Sequence, residues 1–239
     1  YENPTIKKSI LVGVFFGLSL ATKTSAVVLI SAIGIAIAVD LLLIFFKNPH
    51  RPHIWFPHIP KFLKRLFIDG AIITITTIVT FFIAEPYALI DFNEFWRQTL
   101  QQSQMTRDAF TFPYTLQYVG KIPYLYELKN IFLWGQGPIL ATISFLGVFY
   151  LIIHIIKKNK EKKWAQEFIL IVFFLSYFFV VGKFAIGFMR YMLPLYPLLC
   201  LFGAIISYKL LIILKQKFRY WKLVVLVFIC SILVWPLSF

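Results

Sequence analysis

Seven long apolar runs, parted by short polar stretches, limit what this chain can fold into more than any other feature. They cover residues 6–22, 24–46, 66–84, 136–156, 168–182, 191–214 and 223–235. A helix that crosses a bilayer needs about 20 mostly apolar residues, and about 17 at the least. Runs of this length lack the period-2 and period-3.6 stripes of half-buried elements. The first and fifth are short. Only Lys23 parts the first from the second, so these two form either a tight helical hairpin or one interrupted helix. Composition agrees, with 60% of residues hydrophobic and 14% charged, against about 45–50% and about 25% in soluble domains. The expectation is an all-α, polytopic transmembrane helical bundle of about seven spans, with residues 1–239 forming one domain. The chain begins Tyr1-Glu2-Asn3-Pro4 and stops at Phe239 in an apolar run, so it reads as a piece of a longer protein.

The formal charge of +14 raises the question of nucleic acid, which needs a basic face on a folded domain. Here the cations fall instead in clusters between apolar runs, as in cytoplasmic loops of membrane proteins. Lys7 and Lys8 precede the first run. Lys47, Arg51, Lys61, Lys64 and Arg65 separate the second from the third. Lys157, Lys158, Lys160, Lys162 and Lys163 follow the fourth, and Lys209, Lys215, Lys217, Arg219 and Lys222 surround the end of the sixth. These are 17 of the 24 Lys and Arg residues, and they alternate with cation-poor stretches at every crossing. The rule that cytoplasmic loops are positive predicts an N-terminus inside, a C-terminus outside, and a cell-membrane location with lipids as the surroundings. Nucleic acid is excluded as a partner.

Cys200 and Cys230 lie inside apolar runs and read as small hydrophobes. His50, His53 and His58 could hold a metal. They alternate with Pro49, Pro52, Pro57 and Pro60, and prolines this dense leave no regular element to converge the ligands. The reading is an extended cytoplasmic loop with Trp55 and Phe56 at the interface, and no metal.

Residues 85–135 form the long outside loop. Its segment 91–104, DFNEFWRQTLQQSQ, places Phe92, Phe95, Trp96 and Leu100 at helical spacing. Asp91 is the expected N-cap, and Glu94 three residues on completes a capping-box pattern. Such an amphipathic helix would lie along the membrane surface. Tyr114, Tyr118, Tyr124 and Tyr126 follow, suited either to an interfacial aromatic belt or to sugar recognition.

Four runs follow one another: GLSLATKTSA (17–26), EPYALIDFNEFWRQ (85–98), YVGKIPYLYELKNIFLWGQGP (118–138) and FMRYMLPLYP (188–197). Their order resembles the later transmembrane half of the dolichyl-phosphate-mannose–protein mannosyltransferase-like family, within the GT-C superfamily of polyprenyl-phosphate-sugar-dependent glycosyltransferases. The resemblance spans about residues 13–197 and rests on motif order and topology, not on one motif. It implies transfer of a sugar from a polyprenyl-phosphate carrier to a protein, glycan or lipid acceptor outside the membrane. It also implies a catalytic Asp in an outside loop after the first helix of the family, upstream of Tyr1.

Such a reaction needs a base for the acceptor and cations for the carrier phosphate. Ionisable groups at membrane depth are functional candidates by default. On the outer side these are Lys23, Lys183 and Arg190. Arg190 stands first, because a guanidinium grips phosphate in bidentate fashion. Tyr191 beside it and Tyr87 at the exit of the third run complete the substrate-binding set. Glu85 could orient an acceptor, bind a divalent cation, or pair with Lys23 or Arg190. Asp91 is expected to cap a helix, and His154 to sit at the interface. The alternative classes are a transporter or lipid flippase, which would show paired broken helices, and a non-enzymatic scaffold.

Overall fold

The computed structural model describes residues 5–47, 56–157, 164–217 and 219–237, and among these every regular element is helical. Pro49, His50, Pro52, His53 and Trp55 lie outside the described residues, as do Lys158, Lys160, Lys162 and Lys163. The helices are α1 (Ile6–Thr22), α2 (Leu29–Lys47), α3 (Ile59–Ala84), α4 (Tyr87–Ile90), α5 (Phe92–Arg107), α6 (Leu125–Asn130), α7 (Pro138–Lys157), α8 (Trp164–Gly182), α9 (Tyr196–Lys217) and α10 (Trp221–Leu237).

Four stretches are long and apolar enough to cross a membrane: Phe56–Ala84, Pro138–Lys157, Ala165–Gly182 and Met189–Lys217. Thr24–Val39 and Trp221–Trp235 are apolar but shorter, and α1 has 17 residues. Large apolar side chains point outward: Phe67 is 79% exposed and Ile83 75%. Water would penalise that arrangement and lipid does not.

The interior of the α1–α3 pair is small and polar by contrast. Gly13 and Gly17, one turn apart, let the backbones touch. A Cβ on Gly17 would stand 2.6 Å from the Thr77 carbonyl oxygen. Thr77 Oγ1 donates to Gly13 O at 3.1 Å, and Ser9 Oγ donates to Asp69 Oδ1 at 3.1 Å. Close packing of small residues and interhelical hydrogen bonds hold helices together where no hydrophobic drive exists between them. The pairings 9–69 and 13–77 run in the same sense, so α1 and α3 are parallel. Lys23 ends α1 with an extended backbone (φ −160°, ψ 119°), and a 3₁₀ turn, Thr24–Val28, leads into α2. Val27 then shares a cavity with Phe81 and Phe82 near the end of α3. Ile37 shares the next with Leu66 and Gly70 nearer its start. The chain therefore reverses at Lys23, and of the two arrangements open to the sequence the hairpin is the one formed.

The second packet joins α7, α8 and α9 around Phe174, Tyr177, Leu199 and Phe202. Helix α2 lies on α8 and couples the packets. Trp235 of α10 donates its indole Nε1–H to Leu133 O at 2.6 Å. One end of the bundle gathers Lys23, residues 85–135, the 183–190 turn and Trp235. The far end carries Tyr150, His154, Glu167 and Lys209. There His154 Nδ1 lies 2.7 Å from Glu167 Oε2, and Lys209 meets the Tyr150 hydroxyl.

Candidate functional site

At the loop end two cations far apart in sequence come together. The extended backbone at Lys23 throws its side chain off the α1 axis toward the 3₁₀ turn Met189–Leu195. Its Nζ lies 3.4 Å from the Arg190 carbonyl oxygen and 4.6 Å from the Tyr191 ring centroid. The Arg190 guanidinium stands 4.7 Å from the Phe188 ring centroid and 6.0 Å from that of Tyr191. Phe188 meets Tyr118 edge-on at 5.2 Å and Tyr191 at 5.5 Å. A nest of aromatic rings thus supports both cations, with Arg190 exposed and Lys23 half-buried.

Neither cation has an acidic partner among the described residues, whose ion pairs are Arg65–Asp69, Arg97–Glu94, Lys121–Glu127 and His154–Glu167. Burial, and then the charge of Arg190, lower the pKa of the Lys23 ammonium. Two like charges held together in a partly dehydrated place are relieved by an anion.

An apolar groove starts beside Lys23. Leu20, Thr24, Val27, Thr77, Ile78 and Phe81 help line a cavity of about 450 Å³. A second, of about 350 Å³, shares Thr77 and Ile78 with it and continues along α2 and α3 past Gly34 and Gly70. A Cβ on either of these glycines would meet nothing within 4 Å, unlike one on Gly13 or Gly17, so they leave the groove open instead of closing a helix contact.

Of the residues marked in the sequence, Lys23, Arg190 and Tyr191 converge. Lys183 is exposed on the same turn and apart from them. Glu85 caps α3 through its backbone N–H, 2.8 Å from Phe81 O. No ion pair or hydrogen bond joins its carboxylate to Lys23 or Arg190 among the described residues. Tyr87, 68% exposed on α4, has no hydrogen bond or ring contact to the cations among the described residues. A divalent cation at Glu85 would need several further oxygen ligands. No group of three or more His, Cys, Asp or Glu exists to supply them among the described residues.

Asp91 is the N-cap that its position suggested, accepting from Glu94 N at 3.2 Å. The reciprocal half of the capping box does not form. Asp91 N already donates to Tyr87 O at 3.0 Å, and Glu94 is held by Arg97 at 2.6 and 2.8 Å and by Gln98 at 2.8 Å. Helix α5 runs to Arg107. It turns Phe95 onto Phe81, at 6.2 Å, while Phe92 and Trp96 stack on its exposed side at 6.3 Å.

Sequence reasoning missed one pair. The side chains of Lys121 and Glu127 are 2% and 1% exposed and 2.7 Å apart. Six positions is not a helical spacing, so nothing local marks them. The one signal is Gly120-Lys121-Ile122-Pro123, a turn that places a lysine between two apolar neighbours.

Against models of known protein families, curated proteins and solved structures, the chain shows no match.

Proposed function

We propose that this chain is the later membrane portion of a polyprenyl-phosphate-sugar-dependent glycosyltransferase, and that Lys23 and Arg190 hold the carrier's phosphate. The observation that carries this reading is the approach of Lys23 Nζ to the backbone of Arg190, 167 positions away, with no acid against either cation among the described residues and with an apolar groove lined by Leu20 and Thr24 alongside. A lipid phosphate has that shape: a compact anion on an apolar chain. Arg190 offers the phosphate a planar fork and Lys23 a point charge. The base that deprotonates the acceptor belongs to the upstream part of the protein that the family resemblance implies. Tyr114, exposed and 6.5 Å from the Phe188 ring, flanks the site with an apolar face suited to a sugar.

The accompanying topology is seven crossings with the N-terminus cytoplasmic, and the shorter helices α1, α2 and α10 complete the set. Residues 85–135 face outward, and α5 rests its Phe92–Trp96 side in the membrane interface. What supports this is the charge alternation together with the gathering of Lys23, the long loop, the 183–190 turn and Trp235 at one end. Single cysteines at Gln101 and Lys183 should react with an impermeant reagent in intact cells, and one at Lys215 only after permeabilisation. The reverse pattern defeats the orientation.

The functional test is sugar transfer by the intact enzyme across a range of carrier concentrations. Arg190→Ala and Lys23→Ala should each lose activity at limiting carrier and regain much of it at saturation. Equal activity of Arg190→Ala and wild type at limiting carrier would sink the phosphate reading. Carrier translocation across vesicles without sugar transfer would favour a flippase built on the same anion site.

A further inference from the structure

The turn that presents Arg190 has little regular structure of its own between Gly182 and Phe188, yet it is fixed. All three ammonium protons of Lys121 are engaged: Glu127 Oε1 accepts at 2.7 Å, Phe184 O at 2.9 Å and Ile186 O at 3.0 Å. Two of these acceptors are backbone carbonyls of the turn itself, more than 60 positions away in sequence. Ala185 N donates to Thr106 O at 2.7 Å and Tyr124 N donates to Gly182 O at 3.1 Å. Tyr124 holds a left-handed backbone (φ 63°), rare for a bulky side chain, and such strain persists only where its surroundings over-determine it. Gly187 closes the contact: a Cβ there would lie 2.6 Å from the Tyr126 ring and 3.0 Å from Glu127 Oε1. Phe188, the ring beneath the guanidinium, follows directly.

We propose that Lys121 and Glu127 are positioning residues, a buried latch that sets the place of Arg190 and so the affinity of the site for a lipid phosphate. The proposal rests on the reading of Lys23 and Arg190 as that phosphate site. Lys121 does not touch the ligand, because its protons are spent on Glu127 and the turn. Glu127 holds the lysine seated between the two carbonyls, and its own Oε2 has no partner among the described residues. A carboxylate buried on this scale is stable only while its lysine stays in place. The latch therefore acts through geometry: shift the two carbonyls and the guanidinium leaves its aromatic seat.

The test uses the intact protein in nanodiscs, with farnesyl phosphate as the probe and farnesol as its uncharged control. The paired substitution Lys121→Met with Glu127→Gln removes the latch without stranding a charge. It should weaken farnesyl phosphate by about tenfold, within the range of couplings between residues of one network, and leave farnesol unchanged. Amide exchange at Ala185 and Tyr191 should quicken while that of α7 does not. On an Arg190→Ala background the same pair should cause no further loss, whereas a merely structural role would add its full effect again. Wild-type affinity in the paired variant, or an additive loss, overturns the latch. If farnesyl phosphate binds no better than farnesol and Arg190→Ala is silent, the phosphate reading falls and the latch's purpose with it. Amide exchange then shows separately whether the turn is still pinned. Should the paired variant fail to fold, Gly187→Ala pushes the turn off Tyr126 and Glu127 with both charges kept, and the same outcomes apply.

Discussion

Two groups of cations share the loop end of this bundle and are built on opposite rules. Lys121 is buried, carries three hydrogen bonds and faces a carboxylate. Lys23 and Arg190 are half-buried and exposed, face no carboxylate among the described residues, and lean on aromatic rings. A charge withdrawn from water must be paired on the spot, so the first group has no capacity left for a ligand. The second keeps enough water to remain charged and enough dehydration to gain from an anion. Burial alone would have pointed to Lys121 as the site, and the count of spent protons points away from it.

The largest effect should come from breaking the saturated group. Lys121→Met alone leaves the Glu127 carboxylate buried and unpaired, which should cost about 3–5 kcal/mol of stability. The paired replacement with Glu127→Gln should restore most of it. Unfolding in detergent, followed by helical circular dichroism, measures both. If Lys121→Met unfolds like wild type, the pair does not hold the turn and the contrast collapses.

Arg190 should behave the other way round. Arg190→Ala should shift unfolding by no more than about 0.5 kcal/mol, as for a surface change, while lipid-phosphate binding drops by about tenfold, the step expected from loss of a charged hydrogen bond. Arg190→Lys should recover part, since the charge returns without the fork. A variant that loses stability and binding together would place Arg190 in the same class as Lys121.

The contrast also shows what the sequence could and could not disclose. The apolar runs marked all the long helices, because 20-residue runs have few other fates. Lys23 and Arg190 were legible as cations interrupting apolar surroundings at ends that the charge alternation put on one side. Their contact was not legible, since it needs α1 to end in an extended residue and the 189–195 turn to reach it. Glu85 and Tyr87 were also marked in the sequence, behind Arg190, but their side chains have no ion pair or hydrogen bond to the cations among the described residues. Lys121 and Glu127 stayed hidden because the contacts that define them are long-range, to Phe184 and Ile186, and long-range pairing leaves no local pattern.

A smaller effect follows from pH. The folded protein lowers the pKa of Lys23, by burial first and by Arg190 second. Between that lowered value and the ordinary 10.5 the unfolded chain binds more protons than the folded one. Stability therefore rises with pH through that window. Phosphate binding should move oppositely, falling as Lys23 loses its proton. Farnesyl phosphate affinity measured from pH 7 to 10.5 should decline for wild type and stay nearly flat for Lys23→Met. An identical decline in both would mean that Lys23 does not face the anion.

The smallest effect should come from a third arrangement, an ion pair that is both exposed and saturated. Hydrogen bonds from Arg97 and Gln98 hold the Glu94 carboxyl down to about 2, on the surface of α5. With the pKa depressed, its contribution is fully present above the ordinary value of 4.5 and is lost as pH falls through about 2. Water screens such a pair, and exposed ion pairs add little. Acidification from pH 5 to 2 should therefore lower amide protection, taken relative to the intrinsic exchange rate at each pH, within residues 92–107. Glu94→Gln should remove that pH dependence at little cost. Asp91→Ala should loosen the same helix more, by about 1 kcal/mol, because it takes away the acceptor for an end N–H that the helix cannot satisfy itself. If Glu94→Gln proves the more damaging of the two, exposure is a poor guide to the worth of a charge in this loop. The ranking of Lys121 above Glu94 would then rest on the number of bonds alone.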